Sequence, residues 1–474
     1  MTAGNRILAT LRAWLPCAAA LGVGLTLLAP EVRGQTGQAK PAPSPADEAL
    51  ERLKQSLQNE PGLSAETKAA MSAFFDALAA RGSQIDELDL GALQRLAAGA
   101  GAGDAPVAPG RWEKLKEQLT LSGDARLRVE SAFGLDDQVD RNRARTRLRL
   151  GADYRVDEEF SVGARLRTGD PDDPNSPHST LGDVFNSDSF ELDRAFVAYK
   201  PRTAQGLRVV GGKFGHPFQA NPVYGELAWD ADVNPEGIAA TYTLPGDAPG
   251  EKLDFALGHY IVVEQGGGDE ATMTVAQAAG TRRLGEKTTG TLALGWYGYN
   301  NLNPDGSLAL VSENPSQTAG GNQLVDTDGD GAVDDFASRF QIWNPIASVT
   351  YEGWSRPVTF SGEFIHNSAA SGPEDSGVAA GVSVGRQKQA GDWLWYGQWQ
   401  KVEQDAVFAA FSQDDFLLAS NFEGWVFGTR YRIADNVGAH LWGLVSSREQ
   451  QGTAATTDSD RDQWRVRLDL DVRF

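Results

Sequence analysis

From Leu119 onward, apolar and polar residues alternate with a period of two, interrupted by stretches rich in Gly, Pro, Asp and Asn. Thr120, Ser122, Asp124, Arg126, Arg128 and Glu130 alternate with Leu121, Gly123, Ala125, Leu127 and Val129. Arg141, Arg143, Arg145, Arg147 and Arg149 then alternate with Ala144, Thr146, Leu148 and Leu150. A helix would scatter those arginines around its axis, whereas a strand puts them on one face. Such a row cannot face hydrocarbon, where each arginine costs about 2–4 kcal/mol at the bilayer midplane. It must face water or pair with acidic groups. The final segment repeats the pattern, with Trp464, Val466, Leu468, Leu470, Val472 and Phe474 opposite Arg465, Arg467, Asp469, Asp471 and Arg473.

The same rhythm predicts further strands starting near Phe160, Phe190, Leu207, Glu236, Leu253, Met273, Thr291, Gln341, Val358, Gly377, Trp393, Phe422 and Val437. With the three above, the total is about sixteen, an even number as in single-chain bacterial barrels. Short connections (155–159, 201–206, 352–357, 432–436) alternate with long ones (169–189, 215–235, 300–339, 404–421, 447–463). Short periplasmic turns and long external loops alternate this way in outer-membrane barrels. The expected fold is therefore all-β: a transmembrane antiparallel barrel over 111–474, closed by its last strand. Trp296, Trp343, Trp354 and Trp442 sit near strand ends and suit interfacial girdles.

Before the barrel the period is helical. Leu50, Leu53 and Leu57 share one face, as do Met71, Phe74, Phe75 and Leu78 behind a capping Ser64. Residues 35–110 therefore read as a linker and a short α-helical periplasmic segment, either a spacer or a binding module. Residues 1–34 carry signal-peptide parts: Arg6 and Arg12, an apolar core from Leu15 to Leu28, and small residues before Gln35. The one cysteine, Cys17, lies inside that segment, so the exported chain would hold neither disulfide nor thiolate site. A net charge of -21 argues against nucleic acid, which wants a basic face. No His-x-x-x-His pair or Gly-x-Ser-x-Gly run marks an enzyme, and a hydrolase built around His366 or His440 has no positive feature behind it.

Four runs carry a family resemblance: RNRARTRLRLGADY from Arg141, GARLRTGDPDDPN from Gly163, LDRAFVAY from Leu192 and GKFGHPF from Gly212. The first three resemble a family of bacterial outer-membrane porins. The fourth is similar to a run in phosphate- and polyphosphate-selective porins. The strand ending on Phe474 resembles the C-terminal assembly signal of such barrels. The resemblance covers most of the chain after Leu119. It implies a sixteen-stranded barrel in the bacterial outer membrane, often trimeric, bathed in membrane lipid and passing small hydrophilic solutes or ions. It does not carry phosphate selectivity across, because the lysine-rich ladder of those porins is replaced here by arginine. A non-conducting structural or adhesive barrel with a periplasmic tether is the alternative.

Three constellations follow. Arg126, Arg128, Arg143, Arg145, Arg147, Arg149, Arg165, Arg167, Arg465 and Arg467 make a basic wall expected to line the pore. That wall would favour anions, and the acidic loops would oppose it. Glu226, Asp230, Asp232 and Glu236 sit in or beside one long connection, either a constriction loop folded into the barrel or an external loop. Asp326, Asp328, Asp330, Asp334 and Asp335 flank Gly331 like the start of a calcium loop, without the usual twelfth-position Glu. They would hold either a structural Ca2+ or nothing. No other cofactor is expected.

Overall fold

A computed structural model describes residues 111–134, 140–225, 227–265, 270–303, 321–331, 333–416, 419–449 and 462–474. The signal peptide and the helical segment read from the sequence lie outside them. The chain divides into two compact units, Met1–Lys116 and Glu117–Phe474. A short helix α1 (Arg111–Gln118) leads directly into the first strand.

Sixteen long strands make up the second unit: β1 (Leu119–Phe133), β2 (Arg141–Arg155), β3 (Phe160–Arg167), β4 (Glu191–Tyr199), β5 (Leu207–Lys213), β6 (Glu236–Pro245), β7 (Lys252–Val263) and β8 (Ala271–Gly285). They continue as β9 (Thr288–Asn300), β10 (Gln341–Tyr351), β11 (Val358–Asn367), β12 (Ser376–Gly385), β13 (Trp393–Val402), β14 (Phe422–Ala434), β15 (Val437–Arg448) and β16 (Gln463–Arg473). Each pairs antiparallel with its neighbours in sequence, and β16 pairs back onto β1 from Asp124↔Arg473 to Phe133↔Trp464. The sheet is thus a closed barrel. Closure leaves no unpaired edge, as a sheet in lipid requires. Gly123 and Phe474 exchange backbone hydrogen bonds of 2.8 and 3.0 Å at the seam.

The alternation fixes what each face meets. Leu121, Leu127, Leu150, Val162, Leu257, Leu292, Phe360, Trp425 and Phe427 stand exposed on the outer wall. Arg128, Glu130, Arg145, Arg147, Gln398, Gln400 and Asp469, on inward rows, are buried. Trp296, Trp343 and Trp354 lie on the outer side, as a girdle requires. Trp442 does not. It shares its row with buried His440 and Leu444, so it points inward.

The interior is largely filled by the connections. Residues 168–178, 214–225, 227–235, 403–416 and 419–421 turn into the barrel, and Phe214, Phe218, Trp229, Phe408 and Phe416 join Tyr299 and Phe340 of the opposite wall in one buried cluster. Ring centroids lie 5.3 Å apart for Phe340 and Phe408, and 5.4 Å for Trp229 and Phe411. Loop backbone taken out of water needs partners, and wall amides supply them. Gln277 accepts from the Gln219 N–H at 2.7 Å and donates to its carbonyl at 3.0 Å. Gln398 donates to Tyr224 O at 2.9 Å, and Asn367 to Asp405 O at 2.8 Å.

Candidate functional site

The inward rows of β16, β1 and β2 stand side by side: across β16 and β1 the register sets charges of opposite sign next to each other, while across β1 and β2 two arginine pairs meet and only Asp124 and Glu130 face an opposite charge. Asp471 lies beside Arg126 and Arg126 beside Arg147; one rung up the order is Asp469, Arg128, Arg145; the next is Arg467, Glu130, Arg143. Arg128 grips Asp469 with two bonds of 2.8 and 3.0 Å, the fork geometry that suits guanidinium and carboxylate. Arg126 donates to Asp471 at 2.6 Å, and Arg147 and Arg149 share Asp124 at 2.6 and 2.7 Å. Glu130 accepts from Arg143 at 2.6 Å and from Arg467. Arg165 pairs with Asp193 on β4. Taking these charges out of water is costly, and pairing within the wall offsets that cost.

The ten arginines of the basic wall all face inward but divide by what they hold. Arg126, Arg128, Arg147, Arg149 and Arg165 line a cavity of about 570 Å³. Arg145 bonds Ser176 Oγ and His178 O, and Arg167 bonds Asp170 O and Asp173 O, so both clamp the 168–178 connection. Arg465 reaches Asp414 O at 2.9 Å and Asp415 O at 2.8 Å, and Arg467 pairs with the Asp415 carboxylate, so this pair clamps the 403–421 connection. Arg143 rests on Glu130.

The acidic residues of the 214–235 connection also divide. Asp230 and Asp232 line the same cavity as the arginines, and Asp232 meets Arg149 at 2.9 Å across it. The backbone N–H of Asp230 donates to Phe411 O at 2.8 Å, tying this connection to the 403–421 one. Glu226 lies outside the described residues. Glu236 is not in the cavity. As the first residue of β6 it shares the outward row of exposed Ile238 and pairs with Lys213 at 2.8 Å.

Several contributors are not legible in the sequence, among them Arg430 on β14 and Arg473 on β16, which line the cavity beside the expected arginines. The 403–421 connection brings Asp414 and Asp415 to the cavity, and Trp442 supports its wall. The indole lies parallel to His440 at 4.8 Å with the guanidinium of Arg467 at 4.6 Å from its centroid. The run Ala406-Val-Phe-Ala-Ala-Phe411 was the available signal, since a solvated loop has no use for it.

Counted around the cavity are seven arginines and seven aspartates. The strands supply all seven arginines but only Asp124, Asp469 and Asp471, while Asp230, Asp232, Asp414 and Asp415 come from connections. The wall therefore carries an excess of positive charge and the connections facing it are negative, with no net charge between them.

Of the acidic turn, Asp326, Asp328 and Asp334 bring carboxylate oxygens within 4.8 Å of one another. These are hard donors of the kind calcium takes. Backbone N–H groups of Gly331 and Gly329 hold the Asp326 carboxyl below the usual carboxylate range. Asp330 stays outside the cluster, as does Asp335, which accepts from the Phe336 N–H at 2.8 Å and lies 3.8 Å from Arg339.

A closed meander with a lipid-facing exterior and a charged interior defines an outer-membrane β-barrel channel. Residues 129–317 and 340–474 match the model of the family described as "Putative porin", and the chain belongs to that family. It is a protein of the bacterial outer membrane. The family description names no solute, so the likeness of the Gly212–Phe218 run to phosphate-selective porins stays at the level of the motif. Among solved structures, the high-pH form of OprB from Pseudomonas putida is similar with a TM-score of 0.50 at 13% identity, over 77% of this chain and 96% of that one. OmpF of Salmonella typhi in complex with daunomycin gives 0.46 at 12%, over 75% and 97%. The trimer form of OmpT from Vibrio cholerae gives 0.41 at 11%, over 75% and 100%. No curated protein matches the chain.

Proposed function

We propose that the chain is a passive diffusion porin for small hydrophilic solutes and ions, with the eyelet between the arginine wall and the inward-folded connections setting its limits. The observation that carries this reading is the charge arrangement around the cavity. Seven arginines and seven aspartates face one another with the positive excess on the wall and four aspartates on the connections. A narrow aqueous passage with opposed charged walls selects by size and by how a solute carries its charge. The balance argues for weak selectivity between anions and cations, and for easier passage of dipolar solutes than of singly charged ones. The homotrimer implied by the sequence resemblance belongs to the same reading, as does a calcium ion ordering the 326–335 turn.

Purified protein in planar bilayers tests it. Discrete ion-conducting steps are expected, with a reversal potential near zero across a salt gradient. Asp232→Asn should move that potential toward anion preference. A folded barrel that inserts and conducts nothing sinks the proposal and leaves the structural or adhesive alternative. Calorimetric titration with Ca2+ checks the turn: wild-type heat that Asp326→Ala removes is expected.

A further inference from the structure

Five of the seven arginines around the cavity already hold a carboxylate: Arg126 that of Asp471, Arg128 that of Asp469, Arg147 and Arg149 that of Asp124, and Arg165 that of Asp193. Of the other two, Arg473 is exposed at the end of β16, on the side of the short turns. Arg430 is half-buried, and it pairs with no carboxylate among the described residues. Its register explains why. On β14 it lies between Leu394 of β13 and His440 of β15, and its neighbours along the inward row are Gly428 and Arg432. None of the four is an acid. His440 Nε2 is taken up at 2.8 Å by the Tyr396 hydroxyl, and Arg432 donates to Gln387 O at 3.0 Å. Acids elsewhere on the cavity wall are committed too, Asp469 to Arg128 and Asp415 to Arg467 and Tyr224. The Arg430 guanidinium lies over the Tyr396 ring, with Cζ 5.6 Å from its centroid. That contact steadies the side chain, and its N–H donors have no protein acceptor among the described residues.

We infer that Arg430, rather than the arginine row of β1 and β2, is the group that meets solute in this cavity, and that it binds the carboxylate of small organic solutes. Its place in transport rests on the channel reading above. The chemistry favours a carboxylate over other anions. A guanidinium edge matches the two oxygens of a carboxylate with two parallel hydrogen bonds. One free positive charge balances one negative charge. A phosphate dianion would bring a second negative charge into a cavity that already holds seven aspartates, with no guanidinium left to meet it. A half-buried charge with no partner in the protein also projects its field into the water beside it, which the neutralised pairs on β1 and β2 do not. A single fork holds a solute weakly enough to release it, as passage requires.

Saturation-transfer NMR on the full protein in detergent micelles tests the assignment, with acetate as the probe. Acetate is expected to take up saturation from wild type, and added formate to displace it. Arg430→Gln should weaken acetate binding about tenfold. Arg430→Lys, which keeps the charge and loses the fork, should recover only part of it. Heat-modifiable gel mobility confirms that each variant is a folded barrel. An undiminished acetate signal in Arg430→Gln overturns the inference. So does phosphate that displaces acetate more strongly than formate does at equal concentration. Planar-bilayer conductance of the same preparation keeps the two readings apart. A conducting barrel that binds no acetate loses this site alone, whereas a barrel that binds acetate at Arg430 and conducts nothing keeps the site and loses the channel.

Discussion

Glu130 shows how much one side chain can hold inside this barrel. Its carboxylate, almost fully buried, accepts from Arg143 and from Arg467, which in turn holds Asp415 of an inward connection. Removing a buried partner leaves guanidinium charge without compensation, at a cost of about 3–5 kcal/mol. Glu130→Ala is therefore expected to lower unfolding free energy by about that amount in urea titrations from lipid vesicles. Glu236→Ala, on the outer surface, should stay within about 0.5 kcal/mol of wild type. Asp414 offers a titratable contrast. Burial and the adjacent Asp415 push its carboxyl above the ordinary carboxylate range, against the pull of Arg467 and Arg465. A carboxyl raised in the folded state binds its proton more tightly there than in the unfolded chain, so its contribution to stability falls as pH rises above 3.8. Protonation also leaves the cavity with seven arginines against six ionised aspartates. Acidification should shift the reversal potential toward anions, and Asp414→Asn should remove that dependence.

Among the elements, strands were legible and inward connections were not. Strands expected at Leu119, Arg141, Phe160, Leu207, Glu236 and Val437 begin at those residues, and the one expected at Thr291 begins at Thr288. The reason is physical: each strand separates lipid from a polar interior, so its two faces differ sharply at every step. The offset at Thr291 fits the same logic, because Thr288, Thr289 and Gly290 before it show no contrast between faces. Connections meet no such boundary. The 214–235 segment was recognised by its acids, yet what folds it inward is Phe214, Phe218, Leu227 and Trp229. The 404–421 stretch reads as a long connection, and its apolar run is what takes it inside. A place near a strand end suggests a girdle for Trp442, while the parity it shares with His440 puts it inside. These connections limit the opening, so they are where conductance should respond. Phe408, in ring contact with Tyr299, Phe336, Phe340 and Phe411, anchors one of them. Phe408→Ala removes about 3–5 kcal/mol of packing and is expected to give larger, noisier channel openings. Deleting 404–420 should raise single-channel conductance further while leaving the barrel closed.

At the scale of the molecule, every long-strand pairing but one joins neighbours in the chain, and the exception is the β1–β16 seam. Hairpins close short loops, whereas this last pairing brings together residues far apart in the chain, such as Arg126 and Asp471, 345 positions apart. Non-local pairing carries the largest entropic cost and comes late. The seam is also where wall charges meet in pairs: Arg126 with Asp471, Arg128 with Asp469, Arg467 with Glu130. Before the ends meet, those groups are solvated and feel each other through salt solution. Once joined, the Arg128–Asp469 and Arg467–Glu130 pairs are buried, while Arg126 and Asp471 stay partly exposed to the cavity. Zipping the cylinder therefore resembles docking between two charged partners that share a tether, with attraction steering the approach. Dissolved ions shield the approach but hardly reach the finished joint. Refolding into vesicles should slow as ionic strength rises, while the rate of opening stays nearly constant. The asymmetry between those two rates would mark the step at which a curled ribbon becomes a tube.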